Sequence, residues 1–298
     1  MHIPVLLNTV IGYMKPRDRG TYLDATAGEG GHARAILEAS GPAGYVVCSD
    51  ADSTMLETAK KNLLEFGART TFLHENYRDL DAIVRETGIG RFDGIILDLG
   101  FNSAQIGDAL RGFSFSNDGP LDMRYDTSAG MTAEDVVNTY GQEKLAQIIH
   151  EYGEDRHARR IAKAIVAARK KARICSTAEL ASIVARVSGG GHGIHPATRT
   201  FQALRIAVND ELGNLKAFLE KAGDVLAVGG VLVIISFHSL EDRIVKQAFR
   251  QLALLTGPVF KILTRKPVLP GPEELRNNTR ARSARLRALQ RIAEEDHR

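Results

Sequence analysis

Long apolar runs are missing from this chain. The longest, Val228 to Phe237, covers about ten residues, includes two glycines, and is too short to cross a bilayer but suited to a buried strand. The opening Met1-His2-Ile3-Pro4 has neither a cationic leader nor a small-residue cleavage site, so it does not read as a signal peptide. Cysteine is scarce as well. Cys48 and Cys175 are the whole complement, far apart and without metal-type spacing, which argues for reduced thiols in a cytoplasmic protein. No internal repeat is visible. What remains, 298 residues that are 44% hydrophobic and 25% charged, is a globular chain of one large or two ordinary domains.

Neither sign of charge dominates, the formal net charge being +3. Its distribution is more informative. Eight Lys or Arg and no acid lie between Arg156 and Arg173, and six Arg and no acid between Arg276 and Arg291. Two basic blocks on a nearly neutral chain point to a polyanionic partner. A solvated helix face is the plainer account of either block alone.

The first hundred residues alternate strand and helix signals. Thr21 to Ala25, Gly44 to Asp50, Thr70 to His74 and Phe92 to Leu97 read as strands. A helix from His32 to Ala39 carries Ala33, Ile36 and Leu37 on one face, and another runs through Met55, Ala59 and Leu63. This alternation predicts βαβ units and a parallel sheet. Residues 106–195 contain no convincing strand. They hold a Gly/Asp-rich stretch (Arg111 to Asp126), helical segments near 132–171 and 176–187, and the loop Gly189-Gly190-Gly191-His192-Gly193, which together predict an inserted helical domain. Residues 1–105 and 196–298 would then form one discontinuous α/β domain. In its second half, Phe201, Leu204, Val208, Leu212, Leu215 and Leu219 mark one face of a long amphipathic helix. Gly229-Gly230 turns into the strand Val231 to Ile235, followed by a helix from about Leu240 to Leu252. Val259 to Leu263 and Ser283 to Leu289 read as a terminal antiparallel strand pair.

Asp24-Ala25-Thr26-Ala27-Gly28-Glu29-Gly30-Gly31-His32 falls where the first strand meets the first helix. Glycines belong there because the backbone must turn tightly and approach a ligand, with a helix N-terminus behind it. Asp50 ends the second strand about twenty residues on, where a carboxylate can accept both ribose hydroxyls of an adenosine. Asp98-Leu99-Gly100 ends the fourth, on the carboxyl edge where open α/β sheets bind ligands. Asp24 equally suits a turn or helix cap, Asp52 an N-cap, and His32 alone a surface helix start. NAD-binding domains carry a similar glycine turn. The terminal antiparallel pair favours S-adenosylmethionine over NAD.

The chain resembles the bacterial 16S ribosomal RNA cytosine-N4 methyltransferases. The residues that carry the resemblance run from end to end. They include His2 to Leu7, Gly28 to His32, Asp50-Ala51-Asp52, Leu97 to Gly100, Arg111 to Phe115 and Asp118 to Arg124. Further on come Tyr152-Gly153-Glu154, His195 to Gln202, Ser236 to Arg243 and Arg280 to Ser283. The resemblance implies a Rossmann-like class I methyltransferase sheet with S-adenosylmethionine as cofactor, contacted by Gly28, Gly30, Gly31, His32, Asp50, Tyr77, Asp98 and Gln105. Tyr77 would pack along the adenine. The implied reaction is N4-methylation of a cytidine in the decoding (P-site) region of 16S rRNA, in the small ribosomal subunit. The family usually reads Ser-Ser-Pro at Asn102-Ser103-Ala104, Met at Tyr125 and Pro at Thr279.

Asp98, Asn102 and His238 are the candidate catalytic residues. Ser236-Phe237-His238-Ser239 follows a strand, so His238 shares the carboxyl edge with Asp98; a cap by Ser239 is the bland alternative. A Ser-His hydrolase would need a nucleophile elbow and an orienting acid, and neither is evident. Ala158, Ile161, Ile165, Ala168 and Ala172 share one helical face, leaving Arg156, Arg159, Arg160, Lys163, Lys170 and Lys171 to contact RNA phosphates. Arg199, Arg205 and Arg243 either extend that patch or form structural ion pairs. His192 and His195 lack acidic or thiol neighbours in sequence, so no metal is expected, and His195-Pro196 reads as a helix start. No membrane association is expected, and a monomer and a homodimer are both compatible with the chain. The competing functions are a DNA or small-molecule amino-methyltransferase, an NAD-dependent oxidoreductase and a non-catalytic RNA-binding assembly factor.

Overall fold

The computed structural model describes residues 4–188, 195–255 and 259–294. The chain divides into two compact units, one of residues 1–100 with 212–298 and the other of residues 101–211.

The first unit begins with α1 (Leu7–Met14), β1 (Thr21–Asp24), α2 (Gly31–Ala39), β2 (Tyr45–Ser49), α3 (Ser53–Asn62), β3 (Thr70–Leu73), α4 (Leu80–Thr87) and β4 (Phe92–Asp98). The second contains α5 (Ser103–Gly107), α6 (Ala133–Thr139), α7 (Gln142–Gly153), α8 (Ala158–Arg169), α9 (Thr177–Ser188) and α10 (Thr198–Asn209). The chain returns through α11 (Glu211–Lys221), β5 (Leu226–Ser236), α12 (Ser239–Leu255), β6 (Phe260–Ile262), α13 (Pro272–Asn277) and β7 (Arg285–Arg291).

The seven strands are ordered β3-β2-β1-β4-β5-β7-β6. β1 to β5 are parallel, whereas β7 runs antiparallel to β5 and to β6. Alternate residues serve opposite faces. Leu23, Ile95, Leu97, Leu232 and Ile234 enter one apolar cluster with Phe218 and Phe249. Tyr22, Ile96, Val231, Val233 and Ile235 enter the other, with Ile36 and Leu37 of α2. Burial on both faces explains why these strands read as continuous apolar runs rather than alternating ones.

In the second unit, Val136, Leu145, Ile149, Ile161, Ile165, Leu180, Val184, Phe201 and Leu204 make a separate core. The helical stretch expected near 132–171 is three helices, the first opened by a reciprocal cap between Thr132 and Asp135. The long amphipathic helix is also divided. Asp210, in the left-handed region at φ 47°, ends α10 before α11 begins. One continuous apolar stripe therefore serves two cores: Phe201 and Leu204 pack in the second unit, Leu215 and Leu219 in the first. Thus α10, expected within the α/β domain, groups with the helical unit. Gly229 and Gly230 lie within β5 rather than before it, where the pairing with β4 skips from Phe92–Leu226 to Gly94–Val231. The glycine loop 189–193 falls outside the described residues.

Candidate cofactor site and basic surface

Strand order reverses at β1: the chain moves outward to β2 and β3, then returns to place β4 on β1's other side. The crevice beyond the carboxyl ends of such neighbours is where open α/β sheets bind ligands, and those ends are Asp24 and Asp98. The turn above them is built by glycine. Gly28 and Gly30 have φ of 53° and 85°, which disfavours any side chain. A Cβ at Gly30 would come within 3.0 Å of Leu63, and one at Gly31 within 2.4 Å of Pro4. Gly30 is the N-cap of α2, which has no side-chain cap, and such a helix start favours an anionic ligand group.

Four titratable groups converge on this turn. Asp50 accepts hydrogen bonds from Gly28 N and Asp52 N, both at 2.8 Å. Burial pushes its pKa up to about 6, against the pull of those two amides. One lone pair on each oxygen remains for a ribose hydroxyl. Asp24 is fully buried and accepts from Thr26 N at 3.3 Å and Ala33 N at 3.1 Å. It therefore fills the turn-and-cap role. Burial raises it, too, to about 6, opposed by His32 and the Thr26 amide. His32 is not a surface residue: it is 5% exposed, with Nε2 3.5 Å from Asp98 Oδ2. Burial lowers its pKa, but Asp98 and Asp24 outweigh that and raise it. Among the described residues neither ring nitrogen has a hydrogen-bond partner, and neither has Asp98 Oδ1, although all three atoms are buried. Thr26 Oγ1 accepts from Asp98 N at 2.7 Å, a brace between the ends of β1 and β4 that sequence reading missed.

Tyr77 opens a short 3-10 turn after β3, its ring edge-on to Phe218 at 6.0 Å. Asp52 caps α3, accepting from Thr54 N and Met55 N. His238 directly precedes α12, and its Nδ1 accepts from Glu241 N at 3.4 Å. Glu241 Oε2 in turn accepts from Phe237 N and His238 N. His238, rather than Ser239 alone, thus belongs to this cap. Its Nε2 lies 3.2 Å from Glu241 Oε1 without hydrogen-bond alignment. Asn102 and Gln105 belong to the second unit and form a reciprocal capping box on α5.

Arg156, Arg159, Arg160, Lys163, Lys170 and Lys171 are all exposed, and none is in an ion pair among the described residues. Ala158, Ile161, Ala162 and Ile165 face the core, but Ala172 is exposed. The other two cations of the block are structural: Arg169 donates to Val137 O, and Arg173 pairs with Glu134 and Asp135. The second block is different in kind. Arg287 makes two bonds to Asp242, and Arg291 reaches the carbonyls of Gly223 and Leu226. These arginines are buried, so that block is partly internal. Arg205 pairs with Glu211, and Arg199 donates to Glu154 O. Cys48 is buried and Cys175 exposed, both unpaired. Among the described residues, no helix is long and apolar enough to cross a membrane.

A sheet of this order with its seventh strand reversed, and a glycine turn followed by an acid at the second strand's end, define a Rossmann-like class I methyltransferase. The chain belongs to the MraW methylase family, whose model matches residues 1–292. It is 48% identical over 308 residues to the ribosomal RNA small subunit methyltransferase H of Thermomicrobium roseum, covering 99% of this chain and 94% of that one. The protein of the same name from a Cyanothece species is 50% identical over 293 residues, covering 98% and 95%.

The cofactor of this class is S-adenosylmethionine, and the residues present fit it. Gly28 and Gly30 give the turn its positive φ, and Leu63 and Pro4 leave no room for a side chain at Gly30 or Gly31, so the turn is bare backbone there. Asp50 suits the ribose, and the nitrogens of His32 and Oδ1 of Asp98, without a partner among the described residues, are buried polar atoms of the kind a ligand satisfies.

Proposed function

We propose that this chain transfers a methyl group from S-adenosylmethionine to the exocyclic N4 of a cytidine in the decoding (P-site) region of 16S ribosomal RNA. The names of its relatives support a small-subunit RNA substrate, and six exposed cations of residues 156–171 with no ion pair among the described residues suit phosphate contact. One observation carries the acceptor chemistry: at the end of β4, Asp98 Oδ1 is buried with no hydrogen-bond partner among the described residues. An N–H donor is its complement.

When bound, S-adenosylmethionine supplies an electrophilic methyl carbon on a positively charged sulfur. A cytosine amine attacks poorly because its lone pair is delocalised into the ring. Asp98, accepting a hydrogen bond from N4, would orient the amine, stabilise the positive charge that develops on nitrogen as the carbon–sulfur bond breaks to leave S-adenosylhomocysteine, and take the proton that N4 gives up. Asn102 adds a second, neutral contact. His238, three residues beyond the Ile235 that pairs with Asp98, contacts the base from the same edge. Asp50 holds the ribose hydroxyls and Tyr77 packs along the adenine, while Gly28, Gly30, Gly31, His32 and Gln105 complete the cofactor contacts. The basic surface anchors the RNA.

Mass spectrometry of small-subunit rRNA nucleosides from cells lacking the protein tests this reading. N4-methylated cytidine is expected to disappear and to return when the protein is restored. Its persistence in the deleted strain refutes the acceptor assignment.

A further inference from the structure

The second unit contains a buried ion pair wired to a stack of aromatic rings. Arg205 Nε and Nη2 donate to the two oxygens of Glu211 at 2.8 and 3.0 Å, and both residues are buried. The Arg205 guanidinium lies 4.5 Å from the centroid of the Phe101 ring. Phe101 stacks on Phe113 at 5.8 Å and 23°, and Phe113 on Tyr125 at 5.5 Å and 24°. The Tyr125 hydroxyl donates to Glu211 Oε1 at 3.2 Å, which closes the circuit. Asn209 braces it, accepting from Tyr125 N and donating to Met123 O and Arg205 O.

Buried ion pairs are a weak source of stability, because apolar residues of similar volume commonly do as well. What such a pair adds is direction. A two-bonded guanidinium fork stacked on a ring admits one orientation of that ring. The oriented ring here is Phe101, one peptide bond before Asn102. Asn102 N donates to Gln105 Oε1 at 3.0 Å and Gln105 N to Asn102 Oδ1 at 2.9 Å, so each side chain is held by the other residue's backbone amide.

We propose that Phe101, Tyr125, Arg205 and Glu211 are positioning residues: the circuit they close holds Phe101 and thereby sets the Asn102–Gln105 box. The coupling of circuit to box stands on these contacts alone. Its consequence for methyl transfer rests on the function proposed above, which gives Asn102 and Gln105 their contacts.

Two variants of the full chain test it. Tyr125→Phe keeps the stack and removes only the hydroxyl; Phe101→Leu removes the ring that Arg205 and Phe113 both face. Amide hydrogen exchange at Asn102 and Gln105 should accelerate about tenfold or more in Phe101→Leu and less in Tyr125→Phe, with α8 amides unchanged. The single-turnover methylation rate at saturating S-adenosylmethionine should fall about tenfold in Phe101→Leu, with the KM for RNA unchanged. Exchange at the parental rate in both variants overturns the coupling, whatever the chain methylates. A uniform loss of protection across residues 101–211 overturns it too, because the circuit then merely stabilises the unit. If the parental chain leaves cytidine N4 unmodified, the proposed function fails and the exchange result still decides the coupling. Should Phe101→Leu fail to fold, Arg205→Lys, which keeps the charge but loses the fork, replaces it.

Discussion

His32 Nε2 and Asp98 Oδ2 face each other at 3.5 Å, and each residue has a buried polar atom without a hydrogen-bond partner among the described residues. Against the pull of burial, Asp98 and Asp24 raise the pKa of the buried imidazole, so this histidine is held beside carboxylate oxygens rather than in solvent. The same pair puts Asp98 where it can serve cofactor, acceptor or both.

Asp98→Asn separates those roles. The shape survives but the charge does not. At saturating S-adenosylmethionine, single-turnover methylation should slow about a hundredfold, roughly 2.7 kcal/mol of transition-state stabilisation. If saturating cofactor restores the full rate, Asp98 only binds, and the catalytic acceptor lies elsewhere.

Asp50 makes a simpler case. If Asp50 holds the ribose hydroxyls as proposed, Asp50→Ala removes charge-assisted hydrogen bonds worth roughly 1.5–3 kcal/mol. Calorimetry should show S-adenosylmethionine affinity falling about tenfold or more. Because Asp50 also ties down Gly28 and Asp52, circular dichroism must show an intact fold. Unchanged affinity would remove Asp50 from the site.

Changing Arg159, Arg160 and Lys163 together to Glu should weaken RNA binding across sequences and flatten its salt dependence, since fewer counterions are released. S-adenosylmethionine binding should be untouched. A parental salt slope in the mutant would mean that this face is only solvated.

Asp24 predicts a pH dependence of stability. Its folded pKa, about 6 against 3.8 for an ordinary Asp, lies above the unfolded one. Between those values the folded state holds more protons, so stability falls as pH rises through the window. A shift of that size is worth on the order of 3 kcal/mol. Denaturant unfolding from pH 4 to 6 should therefore show the parental protein losing stability relative to Asp24→Asn, which cannot titrate. Parallel pH profiles would show that burial does not perturb this carboxyl.

The strands were legible because their apolar runs are bounded by glycine and by the acids that end them, Asp24, Asp50 and Asp98. The break at Asp210 was not. Phe201 to Leu219 keeps helical spacing across it, and spacing does not reveal that two cores divide the stripe. Taken alone, His32 reads as a surface helix start, because its burial depends on residues distant in sequence, Asp98 among them. The Arg276–Arg291 block pointed to a polyanionic partner for a similar reason: β7 turns Arg287 inward to Asp242, which the charge pattern alone does not record. Tyr125 left one trace, its departure from the usual Met, but the circuit it closes joins residues from 101 to 211.

β4 and β5 are hydrogen-bonded neighbours from Asp98–Ile235 to Phe92–Leu226, yet residues 101–211 are threaded between them. In chain-entropy terms that detour is inexpensive. The cost of closing a loop grows only logarithmically, about 0.6 kcal/mol per doubling of length. A preformed helical unit shortens the flexible length further. The crossover between these strands is therefore a place where this fold can gain or lose a whole module with little thermodynamic penalty to the sheet. The expense is kinetic: β4 must wait for a partner more than a hundred residues downstream, and the sheet is expected to close late in folding.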